Sequence, residues 1–347
     1  MRSCAAALAA VALCAACKKR EAAPPPPAVP AVAALAAIPS DATVVVGLDV
    51  RALADSDLVG RALRQMFVSD PGLTGRFERL AGDCGVDVAR QIEHVHLAMA
   101  PGGLGPARRA ILVATGRLDE EALARCLQAG VGAGGGDLSV KQAGVRSIYK
   151  LVEGRHTVYF GFGQADTVVV GPDETWVEAA LADGPKVATG GLARLLTAVD
   201  QTSDLWFVAQ MDPELGASLV RTTGGAIAAP PRGVLAELDP RAGLVAHAAF
   251  TMESDTDANQ LAEFARRELA VGAMAAQLYG LGPAVAKIAV AAQGPEVHFR
   301  VRLTDAELKD VLTAIDRAGG GGQDAPPLAD GGLPLTPDGS PSQPGSP

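Results

Sequence analysis

The sequence predicts an α+β fold built from two tandem, related β-α-β-β-α-β-β-α units, with mixed or antiparallel sheets covered by helices on one face. Three observations predict it. Short β-branched runs alternate with segments of helical apolar spacing, and the same order of elements recurs in both halves of the chain. The strands VVVGL (44–48) and LWFVAQM (205–211) each lead into an aspartate, Asp49 and Asp212, and then into a short helix. EVHFRVRL (296–303) alternates strictly, with Val297, Phe299, Val301 and Leu303 on one side and Glu296, His298, Arg300 and Arg302 on the other. Such a sheet has one dry face, packed by helices, and one wet face.

In the first unit, 38–187, the β-branched run TVVVGLDV (43–50) reads as a well-buried strand. The segment 52–67 carries Leu53, Leu58, Ala62, Leu63 and Met66 at helical spacing. HVHLAMA (94–100) and RAILVATG (109–116) are strands joined by a glycine-rich turn. A helix over 119–129, two or three strands between Ser139 and Gly171, and a helix opened by Pro172 and Asp173 follow. The boundary falls between Gly184 and Gly191. In the second unit, 188–318, GLVAHAAFTM (243–252) leads through Ser254 and Asp257 into a long helix over 255–278. KIAVAAQG and EVHFRVRL are strands joined at Gly294 and Pro295, and Thr304 and Glu307 are spaced as a capping box for the last helix.

The ends of the chain read differently. Met1 and Arg2 precede an apolar run from Cys4 to Ala16, shorter than the roughly 20 residues of a spanning helix, so 1–16 reads as an export signal. Ala15 and Ala16 place small side chains immediately before Cys17. This stretch resembles a bacterial lipoprotein signal, which implies that Cys17 is lipidated and becomes the new N-terminus. Cys14 stands where that family usually has leucine. Cleavage by the general signal peptidase, or an uncleaved anchor, are the alternatives. The proline-rich segment 17–37 reads as a stalk that lifts the body off a membrane. The Gly/Pro/Ser-rich tail 319–347 lacks the apolar surface to offset its ordering entropy and is expected to be disordered.

Of 347 residues, 48% are hydrophobic but 4% aromatic, so the core must be built from Ala, Val and Leu. The formal net charge of −9 excludes an electrostatic nucleic-acid footprint, and the scarcity of aromatics excludes stacking platforms. Once the signal is removed and Cys17 lipidated, Cys84 and Cys126 are the free thiols. They are a candidate disulfide in an oxidising compartment, with two buried small hydrophobes as the alternative.

Catalytic signatures do not emerge. GVGAGG (130–135) fits G-x-G-x-x-G, but it follows a helix and precedes a strand, the reverse of a dinucleotide site. No P-loop, H-E-x-x-H or G-x-S-x-G is present. His94 and His96 share a strand face and are weak candidate metal ligands; a third would have to come from His156, His247 or His298 through the fold. Asp55 and Asp57, and Asp255 and Asp257, sit where helix starts need caps. The uncharged stretch LAVGAMAAQLYGLGPAVA (269–286) is broken by glycine and proline and reads as a buried helix end and turn. No cofactor and no catalytic residue are expected.

IPSDATVVVGLDVRALADSDL (38–58) and the repeated strand-Asp-helix unit resemble envelope lipoproteins of high-GC bacteria. That resemblance carries no activity and no site residue beyond Cys17. The expectation is a non-catalytic lipoprotein held on a cell-envelope membrane, facing periplasm or cell surface, that binds an envelope protein or glycan. A carrier or sensor of a small apolar or lipid ligand is the alternative, and a metal-dependent enzyme using His94 and His96 is less favoured.

Overall fold

The computed structural model describes residues 34–54, 56, 60, 82, 88–101, 109–133, 136–144, 146–163 and 166–320. The expected signal, Cys17, most of the stalk, Cys84, most of the 52–67 helix and the tail beyond 320 lie outside the described residues.

The elements run β1 (Val44–Asp49), α1 (Val50–Ala54), α2 (Val88–Gln91), β2 (Ile92–Met99), β3 (Ala110–Gly116), α3 (Glu120–Ala133) and β4 (Asp137–Ala143). Then come β5 (Arg146–Glu153), β6 (His156–Phe162), β7 (Thr167–Gly171), α4 (Glu174–Leu181) and α5 (Ala193–Ala198). The chain continues through β8 (Leu205–Gln210), α6 (Pro213–Thr222), β9 (Gly233–Asp239), β10 (Leu244–Thr251) and α7 (Asp255–Gln277). It ends with α8 (Gly282–Val285), β11 (Ala289–Gln293), β12 (Glu296–Leu303) and α9 (Asp305–Gly320). The expected helix starts are capped: Asp173 accepts from the Trp176 N–H, Asp212 from Glu214 and Leu215, and Ser254 from Asp257. Thr304 and Glu307 form the reciprocal box that their spacing predicts.

The twelve strands form one antiparallel sheet in the order β11-β12-β10-β9-β8-β1-β2-β3-β7-β6-β5-β4. β1 pairs with β2 on one side and with β8 on the other, so the sheet passes without a break from the first half of the chain to the second. The fold is therefore α+β with a single large antiparallel sheet, not a mixed one. Four strands, rather than two or three, occupy 137–171, because glycines at positive φ, Gly144 and Gly154, turn β4 into β5 and β5 into β6.

Helices cover both faces, which corrects the expectation of one. Val113 and Ala114 are neighbours on β3 and so point to opposite sides. Val113 joins Ile111, Ile148 and Val169 beneath Trp176, Val177, Ala180 and Leu181 of α4. Ala114 joins Phe160, Phe162 and Val168 with Leu123 and Leu127 of α3. In the second half Ala249 belongs to the α4–α5 side, while Phe250 packs with Val297 and Phe299 against Ala258, Leu261 and Ala262 of α7. Each large side chain so buried contributes about 1.5–3 kcal/mol. Leu195 and Leu196 of α5, with Val208 and Leu235, extend the α4-side cluster across the β1·β8 seam, so one core spans both halves.

Candidate functional site

Strand register assembles a polar row on the α4–α5 face. His96 on β2 pairs with Gly47 on β1, Gly47 with Trp206 on β8, Trp206 with Glu237 on β9, and Glu237 with His247 on β10. Directly paired residues share a face, so one line crosses five strands, with side chains from four of them and the bare backbone of Gly47 on β1. Trp206 is 3% exposed, and its ring centroid is 5.7 Å from that of His96.

Beside the seam lies a cavity of about 550 Å³. Asp49, His94, His96, Trp206 and the loop residues Gln201, Thr202 and Ser203 are among its lining residues. Both halves of the chain thus contribute to it. Asp49 is held by capping α1, where it accepts the Ala52 N–H at 2.9 Å. His94 is exposed and pairs across the ladder with Asp49. His96 is 8% exposed, and its Nδ1 is buried without a hydrogen-bond partner. Burial, and secondarily the neighbouring His94, pushes the His96 imidazole down to about 4, so it is neutral at pH 7.

Next to this row Asp204, 2% exposed, faces Arg241, whose Nε stands 3.2 Å from its Oδ2. Arg241 also holds Asp239, bringing that carboxyl down to about 2, whereas burial pushes Asp204 up. The two aspartates therefore divide into a fully ionised one and one that resists ionisation.

Further along, four side chains form a chain. Glu237 Oε2 is 3.2 Å from His247 Nδ1, His247 Nε2 is 3.0 Å from His298 Nδ1, and His298 Nε2 is 3.5 Å from Glu296 Oε2. The imidazoles stack with 9° between their planes. Between the two rings one nitrogen must carry the proton and the other accept it. Burial and the adjacent His247 hold His298 below its ordinary value. His298, expected on a wet face, is thus mostly covered, its side chain 12% exposed.

The histidines do not gather as a metal site requires. His247 and His298 partner each other and two glutamates, and His156 lies on β6, beyond β3 and β7 from His94 and His96. Among the described residues no three His, Cys, Asp or Glu side chains come together to hold a metal ion. Among the described residues the side-chain partners of His247 and His298 are each other, Glu237 and Glu296. Sequence reading alone misses Glu237; the alternation in GVLAELD (233–239) beside LVAHAAFT is the available signal, whereas the place of Trp206 needs the β1·β8 pairing. Cys126, on α3, is disulfide-bonded, and its partner lies outside the described residues.

No protein-family model matches the chain, and no curated protein matches it. One similar solved structure, crystal form I of TP0453, aligns over 83% of this chain and 99% of its own, with 10% identity and a TM-score of 0.44.

Proposed function

We propose that this chain is a non-catalytic, membrane-anchored lipoprotein of the bacterial cell envelope, facing periplasm or cell surface, whose body binds a ligand or partner at the seam between its halves. The observation that carries the binding role is the seam cavity itself, lined from both halves of the chain by Asp49, His94, His96 and Trp206. Concave sites with a few convergent polar groups beside apolar walls are where small ligands and partner side chains bind. The anchor reading rests on the Ala15-Ala16-Cys17 sequence and the proline-rich segment after it.

The body reads as two related units, 38–187 and 188–318. In support, β1-β2-β3-β7 and β8-β9-β10-β12 leave the central β1·β8 pair in opposite directions with matching order. Each half then completes its sheet with further hairpin strands, β6-β5-β4 in one and β11 in the other. The Cys126 disulfide is assigned to Cys84, the other cysteine of the secreted body.

The test is detergent extraction of the native envelope, affinity purification of the tagged chain and mass spectrometry of everything retained, with Cys17→Ala in parallel. A stoichiometric protein or glycan seen only with Cys17 intact supports a membrane-held binding component. A small molecule retained by native mass spectrometry, and lost in Trp206→Ala, supports the carrier alternative at the same cavity. A turnover abolished by one substitution in the purified body would overturn the non-catalytic reading.

A further inference from the structure

The second half of α7 lacks the cover that its composition calls for. Its buried residues are Ala258, Leu261 and Ala262, all in the first third of the helix. Phe264 packs on the same cluster, and Arg266 donates to the Val290 carbonyl at 3.1 Å, the last of these ties to the sheet. Beyond that point Ala270, Val271, Gly272, Met274, Ala275, Gln277, Leu278 and Tyr279 are exposed. The large apolar ones are strongly so: Val271 58%, Met274 65%, Leu278 85% and Tyr279 59%. The segment expected to be a buried helix end is an exposed one.

Its shape follows from the turn that closes it. Gly280, at φ 75°, reverses the chain, and the Leu281 N–H bonds the Ala276 carbonyl at 2.9 Å, a Schellman-type end. α8 then folds back on α7, so 269–286 is a helical hairpin whose tip carries Tyr279. No Asp, Glu, Lys, Arg or His occurs anywhere in 269–286.

We propose that this hairpin is a second membrane contact, inserting into the interface of a lipid bilayer. At 3.6 residues per turn the exposed positions cover more than half of the helix circumference, and all of them are uncharged. A helix that docks on a protein shows an apolar stripe backed by a polar face, whereas one apolar all round suits a lipid medium. The charges at its base have the matching pattern. Arg266 and Arg267 precede the uncharged run together with Glu268, and Lys287 follows it, paired with Glu307 at 2.5 Å, so the base carries one cation in excess and favours an anionic lipid surface. Tyr279 suits the boundary between headgroups and acyl chains. This contact is additional to the Cys17 anchor and fits the same placement of the body, but it does not depend on that lipid.

The test is depth-resolved fluorescence quenching on the full chain carrying Tyr279→Trp, mixed with vesicles of phosphatidylethanolamine and phosphatidylglycerol with or without brominated acyl chains. The native Trp176 and Trp206 are each 3% exposed, so the parent chain supplies a low-quenching baseline. We expect the added indole to shift to the blue and to lose most of its emission to the bromines, and Leu278→Asp in the same background to weaken the effect about tenfold. Vesicle-bound protein without extra quenching at position 279 overturns the proposal. A blue shift that needs no lipid and grows with protein concentration also overturns it, in favour of a second copy. Because vesicles are supplied, the result stands apart from the anchor: loss of envelope retention in Cys17→Ala reads the lipid, and bromine quenching reads the hairpin.

Discussion

The indole of Trp206 covers Gly47 so closely that a Cβ on Gly47 would stand 2.1 Å from Trp206 Cε2. The two residues are 159 positions apart in the chain and face each other across the β1·β8 ladder. Glycine here serves close approach: it leaves the space in which a large ring can cover the sheet between His96 and Glu237.

Gly47→Ala is therefore expected to push Trp206 off the sheet. Overpacking of this kind costs about 1–3 kcal/mol. Denaturant unfolding should show the loss, and the native emission should move to the red as Trp206 meets water. An unchanged spectrum and midpoint would mean that the ring does not rest on Gly47.

The His96 imidazole, held at about 4 against an ordinary 6.5, makes stability depend on pH. The folded state binds fewer protons than the unfolded one between these values, so stability falls as pH drops from about 6.5 to about 4. The fall is of the order of 3 kcal/mol. His96→Phe should flatten this part of the curve, since phenyl cannot take up the proton. Parallel curves for both proteins would contradict the assignment.

His298 is expected to titrate below the ordinary histidine range because of burial and, secondly, His247. Its stability contribution has the same sign: present at neutral pH and lost as pH falls below about 6.5. His247→Ala removes a neighbouring imidazole, so the His298 titration should move upward, as read from its imidazole resonances by NMR. Glu237 on β9, Glu296 and Arg300 on β12, and the Asp200 N–H bonded to Glu237 complete this environment and remain in the variant. No movement would show that the two rings do not sense each other.

Non-reducing peptide mapping should recover a Cys84–Cys126 cross-linked pair. Reduction should lower stability by about 2–4 kcal/mol, the range for a bridge that closes a loop of tens of residues. A Cys126 peptide linked to any other cysteine would refute the pairing.

Much of the architecture was readable locally. β-branched runs, the caps at Asp173, Asp212 and Ser254, and the box at Thr304 and Glu307 act over a few residues, and the elements they start stand where they were expected. The failures share a cause. The hairpin turns at Gly144 and Gly154 divide a stretch that composition reads as two or three strands into the four strands of a meander. The apolar run 269–286 was read as buried because composition says how much a segment prefers to leave water, not whether the body reaches it.

Alternation along a strand already told which residues share a face, as with His94 and His96, or Glu296 and His298. Which strand lies alongside is another matter. The row His96, Gly47, Trp206, Glu237, His247 exists only because β1 hydrogen-bonds to β8, joining segments about 160 positions apart. Likewise Val113 and Ala114 are both apolar, and helix cover on both faces became visible only when α4 and α3 took opposite sides of β3. Periodicity is a property of neighbouring residues and survives in any fold. Register between distant strands is chosen by the total packing of the core, and it is that choice which places the cavity, the paired imidazoles and the uncovered hairpin.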